Sequence, residues 1–438
     1  MSPQEIHIVI LGTLDTKLFE FLYLQSQIQN INPKIRITLI DAGRNETKHE
    51  AITITQPEVL KASGYKGDNA SLQTLPRGEV IKTMSAGAVQ IVQDLHDSDG
   101  GKGQGSGIHG IVSLGGTGGT SLATAAMRAL PLTLPKLMVS TVASGDTSSF
   151  VEESDIAMMY SVVDIAGLNA VLRAVLGNAA AAIAGMAVSY YNSITAFGSE
   201  EREGDSAERN KKGIAITMFG VTTPAADAVR RYLEAARGGD AFDVYVFHAT
   251  GAGGRAMERL VREGRIDAVL DLTTTELADE LVGGVMSAGP DRLTAAAQKG
   301  IPQIVSVGAV DMVNFGPMST VPEQFTKDKR LFFEHNPSVT LMRTNEHETS
   351  EIGARIADRL RRNVFRPDCT EVWIPLHGVS AISGQGQAFH DQKADDALFS
   401  KIRDGLKGSG IVVREENVNI NDTAWAEKMA ARLLELID

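Results

Sequence analysis

The stretch Ile111-Val-Ser-Leu-Gly-Gly-Thr-Gly-Gly-Thr-Ser-Leu122 joins an apolar run to a glycine loop and then to a helical pattern. A short apolar run that ends at glycine is typical of a buried central strand. The helical spacing continues to residue 130. A strand that passes through a glycine-rich turn into a helix is the repeating unit of parallel sheets. This stretch therefore predicts an α/β fold.

The same alternation recurs on both sides of this stretch. A charged, turn-rich segment without apolar periodicity, residues 198–212, predicts a linker between two halves, and residues 100–107 predict a glycine-rich loop. We expect two Rossmann-like domains, residues 1–200 and 201–438, each with a mostly parallel, doubly wound sheet. The predicted strands are 6–11, 35–40, 108–114 and 137–142 in the first half, and 214–219, 244–247, 268–272, 303–307, 339–342, 372–375 and 411–413 in the second.

Composition limits the classes of function. The chain has 438 residues and a formal net charge of -12, which argues against a dominant surface for nucleic acid or for an anionic membrane. The single cysteine, Cys369, cannot form an intramolecular disulfide or a cysteine-based zinc site, so a reducing compartment is expected. Residues 1–5 are polar and predict no removable signal, so we expect a cytoplasmic protein.

One segment, residues 166–191, is rich in alanine, glycine, leucine and valine. It also contains Asn169, Arg173 and Asn178, which favour a buried helix over a membrane span. Its small residues permit close approach of another helix, from the same chain or from a partner subunit. On this basis we expect a soluble homodimer.

The glycine loop after the predicted strand 108–114 is the strongest candidate for a binding site. Its glycines let the backbone approach an anion, and its hydroxyls lie where the dipole of the following helix favours negative charge. Tight packing of helix against sheet is the alternative use of these glycines. The candidate phosphate-binding residues are Gly115, Gly116, Thr117, Gly118, Gly119, Thr120 and Ser121.

Three other loops follow strands in the first half, and we expect all four to converge because carboxyl ends of parallel strands share one edge. After the second strand, Asp41 is a candidate for binding a ribose hydroxyl, followed by Gly43. Asp146 is a candidate for holding Mg²⁺ through water, although an Asx turn explains it equally well. Simple helix capping is the alternative for the first loop. The candidates in the first loop are Gly12, Thr13, Asp15, Thr16 and Lys17, and those beside Asp146 are Ser144 and Gly145.

These motifs, together with the segment from Phe247 to Glu258, resemble the family of the ATP-binding N-terminal domain of the tomato mosaic virus resistance protein. The resemblance extends over nearly the whole chain. It implies two Rossmann-like subdomains, ATP with Mg²⁺ bound mainly to the first, and self-association. The chain departs from the expected family pattern at Leu18, where a glycine would follow the lysine.

A second glycine loop, between a strand and a helix of the second half, is a candidate site for a small anionic substrate. A histidine, a threonine and an arginine beside glycines can bind a carboxylate or phosphate, although caps and turns also explain them. The candidates are His248, Thr250, Gly251, Gly253, Gly254 and Arg255.

Three functional hypotheses follow. The first is an ATP-dependent transferase or hydrolase that acts on a small anionic metabolite in a cleft between the domains. The second is a binding or regulatory module that ATP stabilises without turnover. The third, an NAD-dependent dehydrogenase, is weakened because Gly12-Thr-Leu-Asp15 lacks the later glycines of the dinucleotide fingerprint.

Overall fold

The computed structural model describes residues 6–97, 107–196 and 211–438, and the chain divides into two compact units, Met1–Glu203 and Gly204–Asp438. Each unit has its own parallel sheet and is described by itself. The predicted domain boundary, most of the predicted linker and most of the predicted loop at 100–107 lie outside the described residues.

Unit 1 contains a five-stranded sheet in which every neighbouring pair of strands is parallel. Its strands are β1 (His7–Gly12), β2 (Arg36–Asp41), β3 (Gly110–Gly115), β4 (Lys136–Ser140) and β5 (Ala157–Tyr160). Its helices are α1 (Leu14–Ile31), α2 (Gln56–Ala62), α3 (Asn69–Thr74), α4 (Arg77–Asp97), α5 (Thr117–Arg128), α6 (Ser148–Val151) and α7 (Ala170–Ala196).

The strand order in unit 1, β2-β1-β3-β4-β5, reverses direction between β1 and β3. Helices α1 and α7 pack on one face of the sheet, while α2, α4 and α5 pack on the other. The chain therefore leaves β1 toward one edge and leaves β3 toward the other. Such a reversal opens a crevice at the carboxyl ends of the two strands, which is where open α/β sheets bind ligands.

Helix α7 is the predicted apolar helix. Among the described residues it is the one helix that is long and apolar enough to cross a membrane by length and composition. One face, including Leu172, Leu176 and Ile183, is fully buried against the sheet of unit 1. Packing within the unit therefore accounts for this face of the helix, which is part of its apolar surface.

Unit 2 contains a six-stranded parallel sheet and a three-stranded antiparallel sheet. The strands of the large sheet are β6 (Lys212–Met218), β7 (Phe242–His248), β8 (Ala268–Thr273), β9 (Gln303–Gly308), β13 (Thr370–Pro375) and β14 (Val412–Glu416), and those of the small sheet are β10 (Met312–Phe315), β11 (Phe332–Asn336) and β12 (Val339–Arg343). The helices are α8 (Thr223–Ala235), α9 (Ala252–Arg262), α10 (Glu276–Val282), α11 (Ala295–Lys299), α12 (Glu323–Lys327), α13 (Glu346–Asn363), α14 (Gln392–Leu406) and α15 (Thr423–Ile437).

The large sheet of unit 2 has the order β14-β13-β9-β8-β6-β7, so its direction also reverses, here between β6 and β8. The α/β class and the two parallel sheets predicted from the sequence are confirmed. The predicted strand 339–342 lies instead in the antiparallel sheet as part of β12. Only residues 337 and 338 separate it from β11, and a parallel crossover needs a dozen or more.

The small sheet covers part of the strand-end edge of unit 2. Met312 and Leu341 of this sheet form a buried cluster with Phe219 and Ala309, which directly follow β6 and β9. Phe389 is fully buried in the same cluster. Apolar packing therefore occupies a position where an open α/β sheet exposes its loops.

Candidate functional site

A cavity of about 530 Å³ lies at the carboxyl ends of β1, β2 and β3, around the reversal point of unit 1. Its walls come from the loops after these three strands and from α4, whose first residue follows β2 by 36 residues. The lining residues are Thr13, Asp15, Thr16, Lys17, Ala42, Arg44, Asn45, Arg77, Val80, Ile81, Met84, Gly116, Gly118, Gly119 and Leu122.

The predicted glycine loop borders this cavity through its backbone. Gly116 is the N-cap of α5, and Gly118 and Gly119 belong to its first turn. The first N–H groups of a helix have no acceptor within it, and the helix dipole makes this end positive. A Cβ atom at Gly115 would lie 3.1 Å from the Cα of Gly119, so this close turn favours glycine. An anion in the cavity would therefore lie beside a positive helix end.

The hydroxyls of the loop have other partners. Thr120 is fully buried, and its Oγ1 donates to the Gly116 carbonyl at 2.9 Å and lies 2.7 Å from Ser140 Oγ. Ser121 Oγ donates to the Thr117 carbonyl at 3.0 Å. Thr117 is exposed and is absent from the cavity lining. The loop thus presents glycine backbone to the cavity, and Thr120 holds α5 against β4.

The first loop brings four of its predicted residues to the cavity: Thr13, Asp15, Thr16 and Lys17. Asp15 Oδ2 accepts hydrogen bonds from the backbone N and from Nδ2 of Asn45, at 3.1 and 3.3 Å. Lys17 has non-helical angles inside α1, φ -140° and ψ 26°, and its ammonium donates to the Ile165 carbonyl.

Gly12, the remaining residue predicted in this loop, has a packing role. A Cβ atom there would lie 1.9 Å from Cζ of Phe21, a fully buried ring of α1. Glycine at this position therefore lets the helix lie close to the end of β1.

Asp41 lies behind the cavity wall and is fully buried. Its carboxylate accepts from the backbone N–H groups of Leu14, Gly43 and Thr47 at 3.2, 2.9 and 3.0 Å. Burial raises the pKa of Asp41, while these hydrogen bonds oppose the shift. The side chain is thus occupied in organising two loops. Gly43 leaves room for the Asp15 carboxylate, because a Cβ atom there would lie 2.6 Å from Asp15 Oδ1.

The segment Ser144, Gly145 and Asp146 is exposed and is absent from the cavity lining, although it follows the neighbouring strand β4. Asp146 Oδ1 accepts from the backbone N of Ser148 at 2.9 Å, which is the contact of an Asx turn. This hydrogen bond lowers the pKa of Asp146. Within residues 6–97, 107–196 and 211–438, no group of three or more His, Cys, Asp or Glu side chains could hold a metal ion.

Sequence reasoning missed the second half of the cavity wall. Arg44 donates through its guanidinium to the carbonyls of Gln73 and Leu75, just before α4. Helix α4 then contributes Arg77 and the apolar residues at the following third, fourth and seventh positions. Such spacing marks one helix face, but it gives no signal that the face borders a cavity. The missed residues are Ala42, Arg44, Asn45, Arg77, Val80, Ile81, Met84 and Leu122.

The glycine loop of unit 2 contains a carboxylate of the protein itself. Glu276 Oε1 accepts hydrogen bonds from the backbone N of Gly251 at 2.7 Å and of Gly254 at 3.0 Å. A Cβ atom at Gly254 would lie 2.1 Å from Glu276 Oε2. Glycine at this position therefore makes room for the glutamate, and the loop binds an internal anion.

A buried network holds that glutamate in place. Arg292 donates to Glu276 Oε2 and to Asp271 Oδ1, both at 2.6 Å, and lies 3.4 Å from Glu258. Each of these four residues is at most 4% exposed. Burial raises the pKa values of Glu258 and Glu276, while the Arg292 charge opposes the shift. The loop is therefore part of the core of unit 2.

The other predicted residues of this loop also make internal contacts. The His248 ring lies 5.4 Å from that of Phe219, and partial burial lowers the pKa of His248. Thr250 Oγ1 donates to the His248 carbonyl at 3.3 Å, and a Cβ atom at Gly253 would lie 1.9 Å from that oxygen. Arg255 donates to the Ser287 carbonyl at 2.9 Å. Local packing thus accounts for the conformation of the loop.

Both units are similar to known proteins. Residues 6–192 match the N-terminal domain, and residues 211–437 the C-terminal domain, of an uncharacterised protein family, UPF0261. A UPF0261 protein from Clostridium tetani is 44% identical over 431 residues, covering 98% of this chain and 99% of the relative.

The tomato (Solanum lycopersicum) ToMV resistance protein Tm-1(GCR237) is 36% identical over 439 residues, covering 97% of this chain. This chain spans 55% of the tomato protein. A crystal structure of UDP-N-acetylglucosamine 2-epimerase is 13% identical, covers 69% of this chain and 79% of the epimerase, and has a TM-score of 0.19, too low to support any argument. The predicted relationship to the tomato protein is confirmed, and the chain belongs to the UPF0261 family.

Proposed function

We propose that unit 1 binds ATP with Mg²⁺ in the cavity at the β1–β3 reversal point. The observation that carries this proposal is the convergence of three strand-end loops on one cavity of about 530 Å³. Small-molecule sites commonly have volumes of roughly 300–1,000 Å³, and open α/β sheets place them at such reversal points.

The charges of the lining suit an anion. Three cationic side chains, Lys17, Arg44 and Arg77, line the cavity with one carboxylate, Asp15. The first turn of α5 adds backbone N–H groups at the positive end of a helix. A polyphosphate has the charge and the acceptor oxygens that this lining can bind.

The lining also fits the two other parts of the proposed ligand. Val80, Ile81, Met84 and Leu122 supply an apolar surface suited to a nucleobase. Asp15 is the one carboxylate among the lining residues of the described chain. A single carboxylate suffices for Mg²⁺ that is held mainly by phosphate oxygens and water. Mg²⁺ would offset phosphate charge at this site, and Asp15 would orient it.

Two observations favour a mononucleotide over NAD. The loop after β1 lacks the dinucleotide glycine fingerprint. Asp41 lies at the end of β2, and its carboxylate accepts hydrogen bonds from three backbone N–H groups. It is therefore not placed to bind a ribose hydroxyl. These points weaken the dehydrogenase hypothesis.

We propose ligand binding with slow basal hydrolysis, in keeping with a binding or regulatory module. The two charged side chains of the loop after β1 already have partners within the protein, which supports slow hydrolysis. Asp15 accepts two hydrogen bonds from Asn45, and Lys17 donates to the Ile165 carbonyl. The predicted substrate loop of unit 2 lends little support to a transferase, because Glu276 already accepts from its N–H groups.

Titration calorimetry with ATP and Mg²⁺ tests the proposal. We expect one site per chain, and we expect Lys17→Met to weaken binding about tenfold, because a cation is removed from the lining. Lys34→Met removes an exposed lysine outside the lining and serves as the matched control. Absence of ATP binding by the folded parent protein at millimolar concentration would refute the proposal.

A further inference from the structure

The connecting segment of unit 1, residues 161–169 between β5 and α7, is held against α1 by two hydrogen bonds. Lys17 donates through its ammonium to the Ile165 carbonyl. Glu20 Oε1, three residues further along α1, accepts from the backbone N of Gly167 at 2.6 Å. The Ile165 side chain is fully buried against the same face of the sheet as α1. The backbone of the connecting segment is therefore attached to two successive turns of α1.

Lys17 takes part in both the connecting segment and the cavity, because it also belongs to the cavity lining. A lysine ammonium has three N–H donors. Its one hydrogen bond within the part of the chain that the structure describes is to Ile165, and it has no ion pair there. Two donors are therefore available to a ligand, and an anion can accept from them without displacing the Ile165 carbonyl.

This shared ammonium links two events energetically. A lysine side chain loses considerable rotamer freedom when it is held in one position. A ligand that fixes the ammonium would already account for that loss, so the hydrogen bond to Ile165 would form more completely. By thermodynamic reciprocity, a well-ordered connecting segment would in turn hold the ammonium ready for the ligand and raise the ligand affinity.

We propose that Lys17 couples the cavity to the connecting segment, so that ligand binding stabilises the segment and the segment positions Lys17 for the ligand. This inference rests on the proposed ATP site and adds a regulatory link to it. Glu20 is 4% exposed and lies outside the cavity lining, so it is a positioning residue that acts through the segment. Val162 of the same segment is exposed, so the link carries the state of the cavity to the surface of unit 1.

Titration calorimetry of the full chain with ATP and Mg²⁺ tests the effect of the segment on the ligand. Glu20→Ala removes the acceptor for the Gly167 N–H and leaves the cavity lining intact, and we expect ATP binding to weaken about fivefold. Loss of a carboxylate close to a cationic lining would by charge alone strengthen the binding of an anion, so the two explanations differ in sign.

Two further variants serve as controls for Glu20→Ala. Glu20→Gln keeps a carbonyl oxygen that can accept from the Gly167 N–H, and we expect ATP affinity within about twofold of the parent. Glu50→Ala removes an exposed carboxylate outside the lining and should also match the parent. Thermal unfolding checks that each variant is folded.

Hydrogen exchange followed by mass spectrometry tests the effect of the ligand on the segment. In the parent, we expect saturating ATP with Mg²⁺ to slow exchange in a peptide covering residues 161–169 about fivefold. Lys17→Met should lose this protection even when ATP is saturating. Glu20→Ala added to Lys17→Met should not weaken ATP binding further, because the link is already broken.

The outcomes separate the coupling from the ATP site itself. If the parent binds ATP but exchange in the segment is unchanged, or if Glu20→Ala binds ATP as tightly as Glu50→Ala or more tightly, the coupling is refuted and the site stands. If Glu20→Ala does not fold, the exchange of the parent and of Lys17→Met decides.

Inorganic tripolyphosphate distinguishes the two failures. If the parent binds tripolyphosphate but not ATP, the nucleotide proposal fails. Protection of the segment by tripolyphosphate that is absent in Lys17→Met would then support the coupling, and unchanged exchange would refute it. If the parent binds neither probe at millimolar concentration, both proposals fail.

Discussion

The two glycine loops of this protein each join a parallel strand to a helix, yet their surroundings differ. In unit 1, Gly118 and Gly119 border a cavity of about 530 Å³. In unit 2, the N–H groups of Gly251 and Gly254 donate to the carboxylate of Glu276. Both loops read as anion sites from sequence, and in unit 2 the anion belongs to the chain itself.

The difference shows what glycine content alone can indicate. A Cβ atom at Gly118 would meet Ile81 Cδ1 and Arg77 Nη2 at 3.1 and 3.3 Å, both at the ends of long side chains. A Cβ atom at Gly254 would meet the Glu276 carboxylate at 2.1 Å. Glycines therefore mark a close approach of some group to the backbone. Whether that group is a ligand or a side chain depends on residues distant in sequence.

The largest effect on this contrast is expected for Glu276→Ala. The change leaves Arg292 with one carboxylate fewer, at a site where Glu276 is 1% exposed, and leaves two loop N–H groups without their acceptor. Breaking a buried ion pair typically costs about 3–5 kcal/mol. We expect a loss of that size in the unfolding free energy of unit 2, measured with urea, with ATP binding by unit 1 retained.

Glu323→Ala is the control for this change, because its carboxylate forms a surface pair with Lys327 and is 79% exposed. Surface pairs contribute little to stability. Equal unfolding midpoints for the two variants would show that Glu276 does not hold the loop.

The second test uses pH, because Asp279, another buried carboxylate of α10, should titrate near neutrality. Burial raises its pKa to about 7, although Asn314 and Met286 donate hydrogen bonds to it. Between its ordinary value of 3.8 and 7, the native state holds a proton that the unfolded state has lost. This group's stabilisation is therefore complete below about pH 4 and is lost toward pH 7, at about 1.4 kcal/mol per pH unit.

Asp279→Asn should reduce the pH dependence of the unfolding free energy, measured with urea between pH 5 and 7, by this amount. The slope that remains includes Asp395, whose pKa burial raises to about 6. The Asn314 Oδ1 atom is buried without a hydrogen-bond partner among the described residues. A rotated Asn314 amide can therefore accept a hydrogen bond from the protonated acid of the parent, or from the side-chain amide that the substitution introduces. An unchanged slope in the variant would mean that Asp279 is ionised throughout this range.

The same substitution in both loops gives the third test. Gly254→Ala should destabilise unit 2 by about 1–3 kcal/mol, because the new methyl group overlaps the Glu276 carboxylate. Gly118→Ala should leave unfolding unchanged or stabilise α5 slightly, since alanine is the better helix former. We expect it to weaken ATP binding several-fold by occupying space beside Arg77. Urea unfolding measures the stability of the two variants, and calorimetry measures their ATP affinity. If Gly118→Ala lost stability and Gly254→Ala weakened ATP binding instead, the proposed difference between the two loops would be refuted.

The outline of unit 1 could be predicted because the signals for its strands and strand-end loops lie within short stretches of the sequence. Short apolar runs bounded by glycine, aspartate or proline located β1, β2, β3 and β4 within about two residues at each end. Four predicted residues of the loop after β1 and three predicted glycines of the loop after β3 line the cavity. These residues directly follow strands, and neighbouring parallel strands bring them to one edge.

The rest could not be predicted because it depends on contacts between distant residues. Arg77 reaches the cavity only through the packing of α4 against α5. Glu276 meets Gly251 across 25 residues, and no periodicity connects them. Asp41 and Thr120 look like ligand residues in sequence, but their oxygens accept or share hydrogen bonds with buried groups of the fold. Burial and satisfaction of polar groups are tertiary properties.

The smallest effect is expected from two threonines at the glycine loop of unit 1. Thr120→Ala removes a buried hydroxyl contact with Ser140 and should destabilise unit 1 by about 1–2 kcal/mol. Thr117→Ala changes an exposed side chain outside the lining, so stability and ATP affinity should both stay within about twofold of the parent. Chemical unfolding and calorimetry compare them. A large loss of ATP affinity in a stable Thr117→Ala variant would restore the hydroxyl as a ligand.

Photolabelling of the full chain with 8-azido-ATP and Mg²⁺, followed by peptide mapping, tests most directly which glycine loop is open to nucleotide. We predict label that unlabelled ATP competes away, located in the peptides containing residues 13–17, 42–45, 77–84 or 116–122, which line the cavity. Competed label within residues 211–438, with none at these positions, would contradict the assignment of the nucleotide site to unit 1.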